Sequence, residues 1–281
     1  MIAKKTIKEE IIFSGIGIHS GKAVEMFLKP SDSGEIVFKR TDLGNTEFRI
    51  GLKNVRSKNC TMLVTEKGKI QTLEHLLAVL WVHGIDSLVV ELNQEEIPIL
   101  DGSALPFVRA IRKAGIRDLL PKKRPVRIIK PFIIQEEDAS ISVVPDSMLR
   151  ITYHIDYAHP CIMKQGMSII VNPDDFDRDI APARTFGFVD DVPSLRERGL
   201  ALGGSLENAV VLDKSGVISG ELRFPDEFIR HKILDFIGDL SLVGFHLVGH
   251  FIVKKAGHGL HLQVVRFLLD NPEYSSLSQN L

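Results

Sequence analysis

The alternation of apolar and polar positions divides the chain into two strand-rich stretches, each followed by helical ones. From Ile7 to about Val64 short β-type runs are interrupted by glycines, with candidate strands at 11–13, 23–28, 35–38 and 47–52. Helical period first enters over 72–83, where Leu73, Leu76, Leu77, Leu80 and Trp81 recur at the i, i+3, i+4, i+7, i+8 spacing of one buried face. Gly84 supplies the stop. Residues 87–92 then read as a strand, and Ser103 is placed to cap a second helix through Ala114 that buries Phe107, Ala110, Ile111 and Ala114. Strands resume at 126–135 and 140–144 and continue to about Val171. A long helix is predicted over 226–242, then a strand over 250–254, a glycine-rich loop, and a last helix near 262–269.

Residues 116–125, Ile-Arg-Asp-Leu-Leu-Pro-Lys-Lys-Arg-Pro, combine two prolines with a basic run just after a helix, and read as the boundary between residues 1–120 and 121–281. The order of elements repeats across that boundary. His231 lies 156 residues after His75, and His258 lies 156 after Gly102. Few residues match at this offset, so coincidence is an open alternative. The expected fold is α+β: two similar duplicated halves, each a β-sheet packed on helices, forming a layered sandwich with the active site between them. Equivalent helices then bring His75 close to His231.

Composition narrows the setting more than the chemistry. With 281 residues, 44% of them hydrophobic and 25% charged, the chain resembles an ordinary globular protein and needs no staples. A formal net charge of -1 gives no global field for nucleic acid or an anionic membrane. Cys60 and Cys161 are too few for a disulfide framework or a thiolate metal site, which points to a reducing compartment. Any metal must then use histidines and carboxylates. The first ten residues lack the apolar core of a secretory signal, and no apolar run reaches the ~18 to 20 residues of a membrane span, so a cytoplasmic protein, monomeric by default, is expected.

Three segments carry candidate chemistry. In Arg230-His231-Lys232-Ile233-Leu234-Asp235-Phe236-Ile237-Gly238-Asp239, positions 231, 235 and 239 fall one turn apart on one helix face, where imidazole and carboxylate at i, i+4 can chelate one ion. A solvated face with a common His/Asp pair gives the same pattern. Glu74-His75 places a base and a ligand ~100° apart on the first clear helix, which suits a metal with three protein ligands and a site for water. An exposed glutamate beside a partly buried histidine is the plainer alternative. In Lys255-Ala256-Gly257-His258-Gly259 the glycines allow close backbone approach and an imidazole acid at a cleft edge, or simply a flexible turn. His19, among Gly15, Gly17 and Gly21, is intermediate, whereas His83, His154, His159, His246, His250 and His261 read as core or surface residues. Gly203-Gly204 lacks the residues of a phosphate loop and reads as a hinge in a mobile insertion.

Taken in order and spacing, Thr72-Leu73-Glu74-His75, Ile97-Pro98-Ile99-Leu100-Asp101-Gly102-Ser103, Ala183-Arg184-Thr185-Phe186-Gly187-Phe188, Gly203-Gly204-Ser205, the 230–239 segment and Gly257-His258 resemble the UDP-3-O-acyl-N-acetylglucosamine deacetylases over nearly the whole chain. The resemblance implies removal of acetate from a UDP-linked, 3-O-acylated glucosamine, the committed step of lipid A synthesis. It implies zinc held by His75, His231 and Asp235, with Glu74 as general base and His258 as proton donor, oriented by Asp239. Thr185 is then expected at the oxyanion, Phe186 on the sugar and Lys232 at the polar, phosphate-bearing part of the substrate, with His19 and Ser205 also in contact with it. Residues of about 186–210 are expected to form an apolar passage for the acyl chain, using Phe188, Val189, Val192, Leu195 and Leu200. His261 stands where an asparagine is familiar, and with His19 it leaves room for a second, inhibitory metal. A His₂Asp donor set also accepts Fe²⁺. The rivals are a zinc hydrolase with another acylated substrate and a non-catalytic protein whose histidines are structural.

Overall fold

Two β-sheets organise the computed structural model, which describes residues 2–277. The first has five strands in the order Ile11–Ile16, Ala23–Pro30, Leu88–Leu92, Ile36–Arg40, Thr46–Arg49. In the second, Leu247–Lys254 is central, with Ala139–Val144 and then Phe132–Glu136 on one side and Leu149–Tyr157 and then Met163–Ile170 on the other. Short strands Val126–Ile128 and Ser275–Leu277 extend this sheet from the beginning of Leu247–Lys254. Strand directions correspond as well as order. In each sheet the central strand is antiparallel to the preceding hairpin and parallel to the first strand of the following one.

Helices fill the space between. They are α1 (Glu74–Val82), α2 (Leu105–Ala114), α3 (Pro173–Asp175), which runs on into a π-helical turn at Phe176–Ile180, α4 (Val192–Glu197), α5 (Glu227–Leu240) and α6 (His258–Asp270). The layered α+β sandwich follows from their packing: α2 lies against α1 and the first sheet, α5 and α6 against the second, and α1 meets α5 at the centre. Glycine sets how closely that crossing can be made. A Cβ on Gly238 of α5 would fall 2.1 Å from the carbonyl oxygen of Glu74, so only hydrogen at that position lets the two backbones touch.

Because α5 covers the face that the apolar stripe left over, α1 is buried from Glu74 to Trp81, polar residues included. A helix buried all round shows a weak stripe in sequence, and its charged residues acquire special environments. Residues 116–125 are not an irregular connection, for Ile116–Lys123 is a strand antiparallel to Ile2–Ile7. Its register skips at Leu120 and Pro121, where proline has no N–H to give to the ladder. The 55–71 region holds a three-stranded sheet of Val55–Ser57, Thr61–Thr65 and Gly68–Gln71 that the alternation pattern did not reveal. The glycine-flanked segment near His258 is not a loop either: α6 begins at His258 with Gly257 as its N-cap residue. Ser103 does contribute at the start of α2, where its Oγ accepts from Leu105 N at 3.3 Å, although Ala104 is the N-cap residue.

Candidate metal centre

The crossing of α1 and α5 brings His75, His231 and Asp235 together. Their ligand atoms all lie within 4.8 Å of one another, and all three side chains are buried. His75 Nε2 and His231 Nε2 stand 3.7 and 3.4 Å from Asp235 Oδ1, with the two imidazoles nearly perpendicular at 89°. His231 Nδ1 donates to the Ala183 carbonyl at 3.1 Å, and since a carbonyl only accepts, the Nε2 lone pair is the one aimed at the cluster. Burial, followed by the neighbouring His231, pushes His75 down to about 3, so it stays neutral and able to ligate at physiological pH. Burial works against ionisation of Asp235, yet the Lys232 ammonium, 2.8 Å away, and the surrounding imidazoles hold its carboxyl well below the usual range. Two neutral imidazoles and one carboxylate converging in a buried pocket fit a divalent cation such as zinc.

A second group adjoins the first. Asp239, with a relative exposure of 0%, accepts from His258 Nδ1 at 2.6 Å and His261 Nδ1 at 2.7 Å through Oδ2, and from the Thr61 hydroxyl through Oδ1. Burial alone would lower His258, but the charge and hydrogen bond of Asp239 outweigh it and raise His258 to about 9. An imidazolium at neutral pH therefore faces the cluster with its Nε2 4.0 Å from Asp235 Oδ2. Burial pushes Glu74 in the opposite sense, up to about 8, and among the described residues the one hydrogen bond to its carboxyl comes from Thr61 N, to Oε2 at 3.1 Å. The pair is thus a carboxyl made more basic by burial and a histidine that holds its proton.

Both groups open onto a cavity of about 760 Å³, the size of a small-molecule site. Glu74, Thr185, Phe186, Lys232, His19 and Ser205 all line it. Its far wall comes from the insertion: Phe186–Phe188 pairs in parallel with Val210–Leu212, and the chain between them, including α4, contributes Phe188, Val189, Val192 and Leu195. Leu200 is not part of that wall, where Leu195 and Ala201 stand instead. Its N–H donates to the Leu195 carbonyl in the turn that ends α4. Lys232 reaches the cavity, but its ammonium is paired with Asp235.

Sequence reasoning passed over two contributors and misjudged a third. The residue pattern put His261 among core or surface histidines and the resemblance named it only for a second metal, whereas it shares Asp239 with His258, a link invisible until α6 packs on α5. Thr61 donates to both Glu74 and Asp239 from a strand that carried no motif. Glu96, in the stretch between Leu88–Leu92 and α2, accepts four hydrogen bonds.

Comparison with known proteins places this arrangement. A sequence profile of the UDP-3-O-acyl N-acetylglycosamine deacetylases matches residues 4–270. The chain belongs to that family. Proteins named UDP-3-O-acyl-N-acetylglucosamine deacetylase are similar to it from end to end: that of Thermodesulfovibrio yellowstonii is 48% identical, covering 96% of this chain and 93% of the relative. That of Geotalea uraniireducens is 42% identical over 99% and 92%, and that of Leptospira biflexa 38% over 99% and 94%. Among the described residues no helix is long and apolar enough to cross a membrane.

Proposed function

We propose that this chain is the metal-dependent amidohydrolase that removes the N-acetyl group of UDP-3-O-acyl-N-acetylglucosamine, releasing acetate at the committed step of lipid A synthesis. The observation that carries this reading is the meeting of His75, His231 and Asp235 with Glu74 and protonated His258 on one wall of an apolar cavity. Zinc is the metal favoured by two imidazoles and a carboxylate, with Fe²⁺ compatible, and when bound it supplies Lewis-acid activation of water and of the amide carbonyl.

The chain's own groups do the rest. Glu74, made more basic by burial, receives in its carboxylate form the proton lost by water during attack. The Thr185 hydroxyl, on the cavity wall, stabilises the oxyanion. His258 delivers the proton from Nε2 to the departing amine while Asp239 fixes its Nδ1 side and maintains its charge. Phe186 packs on the sugar, and Phe188, Val189, Val192 and Leu195 keep water from the acyl chain. Lys232 serves mainly to keep Asp235 ionised, and its contact with the substrate's polar part is secondary. His19 and Ser205 line the substrate's path. The free thiols of Cys60 and Cys161 support a cytoplasmic enzyme, which we take to be a monomer.

The test is turnover by protein of measured metal content. Acetate release is expected from the UDP-linked acylated sugar in proportion to bound metal, and at a much lower rate from the sugar without the 3-O-acyl chain. Equal rates on both would favour another acylated substrate, and a metal-free protein with full activity would overturn the reading.

A further inference from the structure

Glu96 is a carboxylate with a relative exposure of 0% that makes no ion pair with a lysine or arginine among the described residues. Its Oε1 accepts from His19 N at 2.9 Å and from the Thr72 hydroxyl at 2.9 Å. Its Oε2 accepts from Ser20 N at 2.7 Å and from Gln71 Nε2 at 3.3 Å. Burial works against its ionisation, but the Ser20 side chain, with the backbone N–H groups of His19 and Ser20, holds it below its ordinary value, so the charge is retained at neutral pH. An isolated buried charge is costly, and four converging donors are what allow it to persist.

The donors come from two places with different consequences. Thr72 has φ +61°, a left-handed conformation that β-branched residues rarely adopt, and it sits two residues before Glu74 and three before His75. Its hydroxyl bond to Glu96 helps hold that strained turn, from which α1 starts. His19 and Ser20 belong to the Gly17–Gly21 turn, closed by Gly21 N donating to Gly17 O at 3.0 Å. That turn grips the insertion: Leu202 N donates to His19 O at 3.2 Å and Gly203 N to Ile18 O at 3.0 Å. The packing is close enough that a Cβ on Gly203 would fall 2.3 Å from Gly17 O, and one on Gly17 would fall 2.2 Å from Glu96 Oε2. Ile18, His19 and Ala201 are themselves cavity wall.

We propose that Glu96 is a positioning residue for the deacetylation, fixing with one carboxylate both the turn that delivers Glu74 and His75 and the loop contact that sets the acyl-chain wall. This rests on the deacetylase reading for its consequence in catalysis. A structural role alone would lower stability and affect every substrate alike, whereas a shared clamp penalises the acylated substrate more.

The experiment compares wild type, Glu96→Gln and Glu96→Ala, with two readouts. Gln keeps one acceptor oxygen and opposes an NH₂ to the remaining donors, so it should rescue in part. For the acylated UDP-sugar, kcat/KM is expected to fall about tenfold in Glu96→Gln and about a hundredfold in Glu96→Ala, with a smaller loss for the sugar lacking the 3-O-acyl chain. Independently of turnover, hydrogen exchange at the His19 and Ser20 amides should speed up at least tenfold in Glu96→Gln. Competition with a chelator should also show weaker metal retention. Equal proportional losses on both substrates, or unchanged exchange and metal retention in Glu96→Gln, would overturn the proposal. If wild type itself releases no acetate, the deacetylase reading fails, while exchange and chelator competition still decide whether Glu96 is the clamp.

Discussion

Helices α1 and α5 cross at the candidate metal cluster, yet they carry different kinds of residue. On α5, Asp235 is neutralised by Lys232, and Asp239 by His258 with help from His261, so each buried charge has its partner built in. On α1, Glu74 has only a backbone N–H from Thr61, and burial raises it to about 8. A helix rich in paired charge supplies fixed electrostatics, while a helix with an unpaired carboxyl supplies a group that can change protonation. A hydrolytic site needs both, and placing them on facing helices lets each environment be set separately.

The largest effects should come from breaking this division of labour at its reactive ends. His75→Ala should release metal and activity together, measured by metal analysis and acetate release. Glu74→Ala and His258→Ala should each cost about 10² to 10⁴ in kcat with metal content intact. Near-normal turnover in both would refute the assignment of base and acid.

A smaller but more diagnostic effect is expected where the helices touch. Gly238→Ala inserts a methyl group against the Glu74 carbonyl and should cost about 1–3 kcal/mol in denaturant unfolding, with turnover falling because His75 and His231 are pushed apart. Unchanged stability and rate would show that the crossing is not tight. The mildest test concerns an ion pair that anchors α5 away from the chemistry. Glu227, with 0% exposure, accepts from Arg184 Nε at 2.8 Å. Burial alone would raise its pKa, but Arg184 and nearby N–H groups hold it below its ordinary value of 4.5. A depressed carboxyl stabilises the fold above its unfolded value and loses that contribution as pH falls through the folded one. Glu227→Gln should therefore cost about 1–2 kcal/mol at pH 7 and progressively less below pH ~4.5. A difference constant down to pH 3 would contradict it.

Much of the site was legible because its residues are spaced by local geometry. His231, Asp235 and Asp239 stand at i, i+4, i+8 on a helix that the hydrophobic period located within two residues at each end, and Glu74-His75 is adjacent in sequence. Family resemblance then assigned roles that spacing left open. Thr61 was missed, and the bond from His261 to Asp239 was not foreseen, because no local pattern reports a hydrogen bond made across elements. Leu200 was expected in the acyl passage for being apolar, but after the turn that ends α4 it is Ala201 that lines the cavity. Residues 116–125 were read as a domain boundary because two prolines and a basic run follow a helix there, while the pairing of Ile116–Lys123 with Ile2–Ile7 depends on a segment over a hundred residues away.

The sequence by itself determined the four longest helices, which of their faces are apolar, and the set of side chains able to bind a metal and move protons, since these depend on chemistry and on a period of 3.6 residues. Only the tertiary structure decided that α1 and α5 approach to backbone contact at Gly238, that Glu74 loses water while Asp239 gains three donors, and that Glu96 joins the turn before α1 to the Gly17–Gly21 turn. Burial and charge pairing are properties of the neighbours a residue meets in space, and those neighbours come from distant parts of the chain.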